Sequence, residues 1–316
     1  MSHINTLTGP LAGQDLGFTL MHEHLFVLNW SMRQAFPDWL DRRAIVEQAV
    51  ADLHAAYASG VRTIVDCTAI NLGRDIDLAR EIAERSPVHI IASTGLYWTE
   101  EPWLDRWEPD LILDWLKKDV GGMQGSGIKP GVIKCGSDRF GVTPLNRKLL
   151  QVTARLHHKT GLPITTHTTK DNDSALQQLD IFAEEGVDLS HVVIGHCGDS
   201  ADIGKAEAIL ARGSFIGMDR FRAVRQVFGF NTENRVKLVA ELCQRGYASR
   251  MVFSHDEDVA SDFGQHKRPV QAAAPAPTGA YCYVADTVVP ALRAAGVTDE
   301  QIRQMTVENP RRVFER

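Results

Sequence analysis

The chain has 316 residues, of which 44% are apolar and 23% charged, a composition typical of a globular protein able to bury a large core. The formal net charge is −6. Acids and bases are mixed along the whole chain without a basic block, which argues against nucleic acid as a partner. The N-terminal segment lacks the features of a signal peptide, and no apolar run is long enough to span a bilayer, so we expect a cytoplasmic protein without a membrane partner.

The five cysteines suggest neither a disulfide framework nor a thiolate zinc cluster. Their number is odd, and no two of them stand in a CxxC spacing. We therefore expect reduced thiols at Cys67, Cys135, Cys197, Cys243 and Cys282.

Eight short apolar runs, rich in β-branched residues, recur along the chain, and each is followed by a longer stretch of helical periodicity. These predicted strands lie at residues 18–25, 61–68, 89–94, 131–136, 162–168, 191–197, 214–219 and 250–256. Several of the predicted helices end on a glycine, as a C-cap would, namely at Gly60, Gly161, Gly186 and Gly246.

Eight strand-then-helix units predict a parallel sheet with right-handed crossovers. Strands that are apolar on both faces suit a closed barrel, although an open doubly wound sheet has the same local pattern. Because the strand count is eight and no composition shift divides the chain, we predict an α/β fold, a (β/α)₈ TIM barrel, as a single domain over residues 1–316.

Two segments depart from this alternation. The glycine-rich stretch at 121–131 precedes a strand instead of following one, so we predict a loop and not a dinucleotide-binding turn. The longest irregular segment, at 257–282, follows the eighth strand and is rich in Ala, Pro and Gly. A segment of that length is either a lid or binding loop, or disordered.

Polar residues recur where the predicted strands end, which is the face where a parallel barrel carries its functional groups. Each alone has a structural explanation: a histidine can be satisfied in a core, an aspartate can cap a helix and a lysine can extend to solvent. Together, they would leave several buried polar groups uncompensated unless a metal satisfies them. The residues are His22, His24, Lys134, His167, His196, Asp219 and Asp256.

The HxH pair strengthens the metal interpretation, because residues i and i+2 of a strand face the same side and both imidazoles can reach one ion. We expect Leu20 and Leu25 to pack on the outward face. Nitrogen and carboxylate ligands without thiolate suit Zn²⁺, Mn²⁺, Co²⁺ or Fe²⁺. A protonated Lys134 would repel two cations, so it fits such a site only as a neutral amine or a carbamate.

The sequence resembles the phosphotriesterase family of the amidohydrolase superfamily, and most closely its lactonase branch. The matching motifs run from "GPLAGQDLGFTLMHEH" through "STGLYW", "VIKCG", "TTHT", "IGHCGD", "GMDR" and "FSHD" to "VENPRRVF". The resemblance therefore covers about residues 9–314. It independently implies the TIM barrel and a small-molecule substrate, and a homodimer is typical of the family.

The resemblance implies a binuclear metal centre. One divalent ion would be held by His22, His24 and Asp256, and the other by His167 and His196. N6-carboxylated Lys134 and a hydroxide would bridge two Zn²⁺ ions, with Co²⁺, Mn²⁺ or Fe²⁺ as the other candidates.

The resemblance also implies the catalytic residues. Asp256 would take the hydroxide proton, and Asp199 would relay it outward. Tyr97 and Arg220 match positions that favour lactonases over dedicated phosphotriesterases. Alternatively, Tyr97 could pack in a loop, Arg220 could pair with Asp219 or Asp199, and Asp219 could be structural.

The predicted activity is metal-dependent opening of lactones, either N-acyl homoserine lactones or γ- and δ-lactones, with promiscuous action on esters and phosphotriesters. One alternative is a dedicated organophosphate triesterase or an amide or ester hydrolase of the same family. Another is a non-catalytic metal-containing binding protein. The long segment at 257–282, and the tryptophans Trp30, Trp39, Trp98 and Trp103, indicate a differently lined pocket.

The sequence "SHD" at 254–256 resembles a serine-hydrolase triad only superficially. Consecutive strand residues alternate faces, so Ser254 and His255 cannot both face one substrate. We therefore predict no nucleophilic serine.

Overall fold

The computed structural model describes residues 3–99, 101–221, 230–262 and 279–315. Within these residues the strands are β1 (His3–Thr6), β2 (Gly9–Ala12), β3 (Phe18–Glu23), β4 (Phe26–Val27), β5 (Val61–Asp66), β6 (His89–Gly95), β7 (Val132–Gly136), β8 (Ile164–His167), β9 (Val192–Ile194), β10 (Phe215–Met218), β11 (Met251–Phe253) and β12 (Ala260–Ser261). The helices are α1 (Trp30–Ala35), α2 (Arg42–Ala58), α3 (Ile76–Glu84), α4 (Pro109–Gly121), α5 (Pro144–Thr160), α6 (Ser174–Glu184), α7 (Ile203–Leu210), α8 (Thr232–Gln244), α9 (Val289–Ala294), α10 (Asp299–Arg303) and α11 (Asn309–Phe314).

All eight predicted strands belong to one sheet, in the order β11-β10-β9-β8-β7-β6-β5-β3. Their pairings are parallel. The C-terminal end of β3 is joined to the residues that follow β11, because the Asp256 N–H donates to the His22 carbonyl at 3.0 Å and the His24 N–H donates to the Glu257 carbonyl at 2.9 Å. The predicted (β/α)₈ barrel is therefore confirmed.

The helices begin and end where local chemistry dictates. In α5, the Thr143 side chain accepts from the Asn146 N–H, and Pro144 occupies the first turn, where its missing N–H has no cost. Gly161 ends the helix in the left-handed region at φ +67°, where glycine is unstrained. Gly60, Gly186 and Gly246, likewise predicted from the sequence, also have positive φ.

The strands separate two apolar layers. Leu20 and Leu25 belong to the cluster that includes helix residues such as Leu53, as expected. Met21 belongs to a second cluster with Val65 and other alternate strand residues of the barrel interior. The register of β3 on β5 shifts between Leu20 and Glu23. This irregularity lets Leu20 face outward while His22, two residues later, faces inward.

Among the described residues, no helix combines the length and apolar character that crossing a bilayer requires. The glycine-rich stretch at 121–131 forms the end of α4, a short 3₁₀ turn and a loop leading into β7, as predicted. Most of the long segment at 257–282 lies outside the described residues, although its β12 pairs in parallel with β4.

Candidate metal centre

The strand ends bring all the predicted ligands together inside the mouth of the barrel. Lys134 is fully buried, and the four histidines are at most 6% exposed. The residues come from five strands and the turns that follow them, namely His22 and His24 at β3, Lys134 in β7, His167 at the end of β8, His196 after β9 and Asp256 after β11.

The first group of ligand atoms comes from His22, His24 and Asp256, which lie close enough to hold one ion. Asp256 Oδ1 is 3.3 Å from His24 Nε2 and 3.8 Å from His22 Nε2. The Thr68 hydroxyl donates to Asp66 at 2.6 Å, so its oxygen accepts from His24 Nδ1 at 2.9 Å. The proton of His24 is thus on Nδ1, and the Nε2 lone pair faces the carboxylate.

The second group comes from His167 and His196, whose Nδ1 and Nε2 atoms are 2.8 Å apart. His167 Nε2 faces Asp138 Oδ2 at 3.3 Å. Burial alone would raise the pKa of Asp138, but the hydrogen bond and charge of His167, the Arg139 backbone N–H and the charge of Arg220 together leave that pKa below its usual value. Asp138 is therefore an ionised acceptor that fixes the proton of His167 on Nε2.

Asp219 joins the two groups without belonging to the predicted ligands. Its carboxylate accepts from His22 Nδ1 at 3.1 Å, from His196 Nδ1 at 3.0 Å and from the His196 backbone N–H at 2.9 Å. Burial alone would raise its pKa, but His196 and His22 hold that pKa well below the usual value. Although Asp219, His22 and His196 are also close enough to surround an ion, the carboxylate faces the N–H side of both rings. We therefore interpret Asp219 as the residue that orients two ligands.

The donor set fits divalent metal ions. Burial lowers the pKa of His22 and His196, and lowers that of His167 to about 4, so these rings are neutral at physiological pH. Each of the four imidazoles donates a hydrogen bond from one ring nitrogen to an acceptor. The lone pair of the other nitrogen faces the space between the predicted ligands. Lone pairs of His167 and His196 facing each other at 2.8 Å repel unless a cation lies between or beside them.

Lys134 lies at the centre of these groups. Its Nζ is 2.6 Å from His22 Nε2, and burial lowers its pKa. A neutral amine in this position is the form that could react with CO₂.

Tyr97 also faces the site and does not simply pack in a loop. Its hydroxyl is 3.0 Å from His167 Nδ1, and its ring lies edge-on to the His167 ring. Burial raises the pKa of Tyr97, so it remains a phenol able to donate a hydrogen bond.

Arg220 connects Asp256 with Asp199. Its Nε donates to Asp256 Oδ2 at 2.9 Å, and its Nη1 donates to Asp199 Oδ2 at 2.6 Å. The other oxygen of Asp199 accepts from Arg235 Nη2 at 2.6 Å. Because an arginine stays protonated, it does not pass a proton directly from Asp256 to Asp199. Asp199 and Arg235 instead hold the guanidinium in place.

Sequence reasoning did not select Asp138, Thr68, Arg235 or Glu23. Asp138 carried one usable signal, since it stands four residues after Lys134, in the loop that follows β7. Glu23 stands inside the HxH motif itself, between the two histidines. Arg235 lies on α8, far from any strand end, and carried no signal.

The four tryptophans expected to line the substrate pocket do not share one cavity. Trp30 and Trp103 line a cavity of about 620 Å³, together with Trp107 and Trp115 but none of the predicted ligands. Trp98 lines a separate cavity of about 330 Å³ beside Asp138, so it is the one that adjoins the site. Trp39 instead donates its indole N–H to Asp262.

The "SHD" sequence is not a nucleophilic triad. The Ser254 hydroxyl donates to Glu23 and accepts from the His22 N–H. His255 Nε2 accepts from the Val284 N–H, so its proton is on Nδ1, which donates to Glu23. Neither side chain is arranged to activate the other.

A closed eight-stranded barrel with histidines, aspartates and a buried lysine at its C-terminal mouth defines a barrel of the metal-dependent hydrolase type. The model of the phosphotriesterase family matches residues 2–314, and the chain belongs to this family.

Relatives of this chain are similar over nearly their whole lengths. A "phosphotriesterase homology protein" of Mycobacterium tuberculosis (strain H37Rv) is 42% identical, with 100% of this chain and 98% of the relative aligned. An "aryldialkylphosphatase" of Saccharolobus solfataricus is 33% identical, with 96% and 99% aligned. The solved structure of the phosphotriesterase from Mycobacterium tuberculosis superposes with a TM-score of 0.90 at 40% identity, covering 100% of this chain and 99% of that one. This chain is therefore a hydrolase of the phosphotriesterase family.

Proposed function

We propose that this protein is a binuclear metal-dependent lactonase with promiscuous activity on esters and phosphotriesters. The observation that carries the proposal is that both Tyr97 and Arg220 lie at the candidate metal centre. The Tyr97 hydroxyl contacts a predicted ligand, His167, and Arg220 contacts another, Asp256. These are the two positions at which the sequence resembles the lactonase branch.

His22, His24 and Asp256 would hold one ion, and His167 and His196 the other, with carboxylated Lys134 between them. When bound, such a pair of ions supplies a hydroxide at neutral pH and polarises the oxygen of a carbonyl or phosphoryl group. Zn²⁺ is the ion we favour, with Co²⁺, Mn²⁺ and Fe²⁺ also compatible with these ligands.

Proton transfer, positioning and hydrogen bonding to the substrate fall to different residues of the site. Asp256 accepts the proton released during attack and delivers it to the leaving oxygen. Arg220 restrains the second oxygen of Asp256, so the carboxylate keeps its orientation. Tyr97, held as a phenol, donates a hydrogen bond to the substrate oxygen or to the attacking group. Asp199 acts through Arg220 in this proposal, which replaces the outward proton relay expected from the resemblance.

A dedicated organophosphate triesterase is the second candidate, because the Saccharolobus solfataricus relative is named an aryldialkylphosphatase. An amide hydrolase would use the same site with a different lining. A non-catalytic binding protein is less consistent with a site in which every predicted ligand is present and the four histidines and Asp256 are each oriented by a partner. The homodimer expected from the family remains a prediction, which light scattering of the purified protein would test.

The proposal is tested by metal analysis and turnover together. The protein should contain two equivalents of metal and hydrolyse at least one γ-lactone, δ-lactone or N-acyl homoserine lactone with a higher kcat/KM than a dialkyl aryl phosphate. His22→Ala, Lys134→Ala and Asp256→Ala should each reduce turnover by at least about 10²- to 10³-fold with the circular dichroism spectrum unchanged.

Three results would contradict parts of the proposal. Full activity after chelation of all metal would exclude the metal mechanism. A preference for the phosphate triester would favour the second candidate. Two equivalents of metal without turnover of any lactone, ester, amide or phosphotriester would favour the binding protein.

A further inference from the structure

Glu23, the middle residue of the HEH motif, is fully buried and has no part in the proposed chemistry. It is the last residue of β3, next to the strand end at which β3 meets the residues after β11. A buried carboxylate is costly unless it is hydrogen-bonded, so its partners indicate what it does.

Every described hydrogen bond to this carboxylate comes from the segment around Asp256. Oε1 accepts from Ser254 Oγ at 2.8 Å, from the His255 N–H at 2.8 Å and from His255 Nδ1 at 2.6 Å. Oε2 accepts from the Glu257 N–H at 3.0 Å. The side chain of Glu23 therefore binds residues on both sides of Asp256.

Asp256 itself has φ +54°, in the left-handed region that non-glycine residues rarely adopt. Its N–H donates to the His22 carbonyl at 3.0 Å. With residues 255 and 257 both bound to Glu23, the backbone between them must turn at residue 256. That turn directs the Asp256 carboxylate toward His22 and His24.

The same contacts constrain the two histidines. The His22 N–H donates to Ser254 Oγ at 2.8 Å, and the Ser254 hydroxyl donates to Glu23. The His24 N–H donates to the Glu257 carbonyl at 2.9 Å, and the Glu257 N–H donates to Glu23. His255 Nε2 also accepts a hydrogen bond from the Val284 N–H. The hydrogen bonds that begin at Glu23 therefore continue through His255 to the chain after residue 278.

We propose that Glu23 is a positioning residue of the metal centre, because its carboxylate holds Asp256 in the left-handed turn that aligns it with His22 and His24. The inference rests on the proposed metal site but not on the identity of the substrate. Its role is indirect, since the described contacts of Glu23 are with backbone and side-chain donors and not with the ligand atoms.

Glu23→Gln is a sharp test because every partner of the carboxylate is a donor. In either orientation, a glutamine amide places its NH₂ group against at least one N–H or O–H. Asp119→Asn is a matched control. The largely buried Asp119, whose side chain is 12% exposed, accepts from Arg74 Nη1, Arg74 Nη2 and Thr94 Oγ1. An amide at this position therefore has the same mismatch, but none of these donors contacts a predicted ligand.

The experiment loads metal-free protein with cobalt(II) in bicarbonate buffer and measures stoichiometry, affinity by chelator competition and the visible absorption spectrum. Glu23→Gln should weaken cobalt binding by roughly 10- to 100-fold and alter the spectrum. Asp119→Asn should lower the melting temperature of the metal-free protein while the wild-type affinity and spectrum remain.

The inference is overturned if Glu23→Gln retains the wild-type affinity and spectrum, or if Asp119→Asn loses as much affinity as Glu23→Gln. If Glu23→Gln does not fold, Ser254→Ala becomes the test. This variant removes one donor to the Glu23 carboxylate and should weaken cobalt binding measurably, by up to about tenfold. Wild-type cobalt affinity in Ser254→Ala would then reject the inference. Wild-type protein that binds no cobalt would reject the proposed function itself.

Discussion

At the scale of single residues, Asp219 is the contact between the two halves of the candidate metal centre. One carboxylate accepts from the Nδ1 atoms of both His22 and His196, so it sets the direction of an Nε2 lone pair in each half. The absence of a side chain at Gly217 leaves room for this carboxylate, because a Cβ on Gly217 would lie 2.3 Å from Asp219 Oδ2. A carboxylate of this kind fixes the tautomer and the orientation of the imidazole that binds the metal.

Asp219→Ala should therefore weaken metal binding in both halves of the site, by roughly 10- to 100-fold. Alanine offers no acceptor to either imidazole N–H, so His22 and His196 both lose their partner. Chelator competition on the purified variant measures the effect. Asp138→Ala is the comparison, because His167 is the one predicted ligand that the Asp138 carboxylate contacts among the described residues, and its loss should weaken one half only. Equal effects of the two variants would contradict the bridging role.

The sequence predicted these ligands individually and singled out Asp219 and Arg220 beside them, but it did not select Asp138, Thr68 or Arg235. An HxH pair and a histidine at a strand end are recognisable because their spacing has a geometric meaning. Asp138 and Arg235 have no such spacing, since hydrogen bonds across 29 residues, as between Asp138 and His167, and 36 residues, as between Asp199 and Arg235, exist only once the strands are side by side.

At the scale of elements, the junction of β6 and β7 places both Tyr97 and Lys134. Gly95 pairs with Lys134 in the parallel register and has φ +103°. A Cβ at this position would lie 2.1 Å from the Lys134 carbonyl oxygen. The glycine is thus required both for the backbone conformation and for the close approach of the two strands.

Gly95→Ala should cost at least about 1–3 kcal/mol of stability for the unfavourable φ alone, and more because the strands must separate. It should also reduce metal content, since the separation moves Lys134 away from His22. Denaturant unfolding measures the first effect and elemental analysis the second. Gly60→Ala is a suitable control, because its φ is also positive but no atom lies within 4 Å of the added Cβ. A Gly95→Ala protein with full metal content would contradict the assignment.

At the scale of the whole molecule, the ligands come from strands that span most of the chain, from β3 to β11. Only closure of the barrel brings the residue after β11 beside β3, where Asp256 meets His22 and His24. A site assembled in this way exists in the folded state and not in the unfolded chain. Metal binding and barrel stability are consequently linked.

Removal of metal should therefore lower the melting temperature of the protein. At a free metal concentration of 100 times Kd, one bound ion contributes about 2.7 kcal/mol, which corresponds to a shift of several degrees in a domain of this size. Calorimetry of metal-loaded and chelator-treated protein measures the shift. We also predict a single cooperative transition for residues 1–316. A melting temperature independent of metal would argue against occupancy of the site.

The sequence by itself determined the eight strands and the family, and it predicted the six candidate metal ligands. Hydrophobic period, glycine caps and the chemistry at strand ends are local signals, and they persist in a chain that has not folded. Only the tertiary structure decided how those ligands are oriented. The bulge in β3 arises in its pairing with β5. The left-handed turn at Asp256 and its hydrogen bonds to Glu23 depend on contacts between segments more than 200 residues apart, and these contacts form only when the barrel closes.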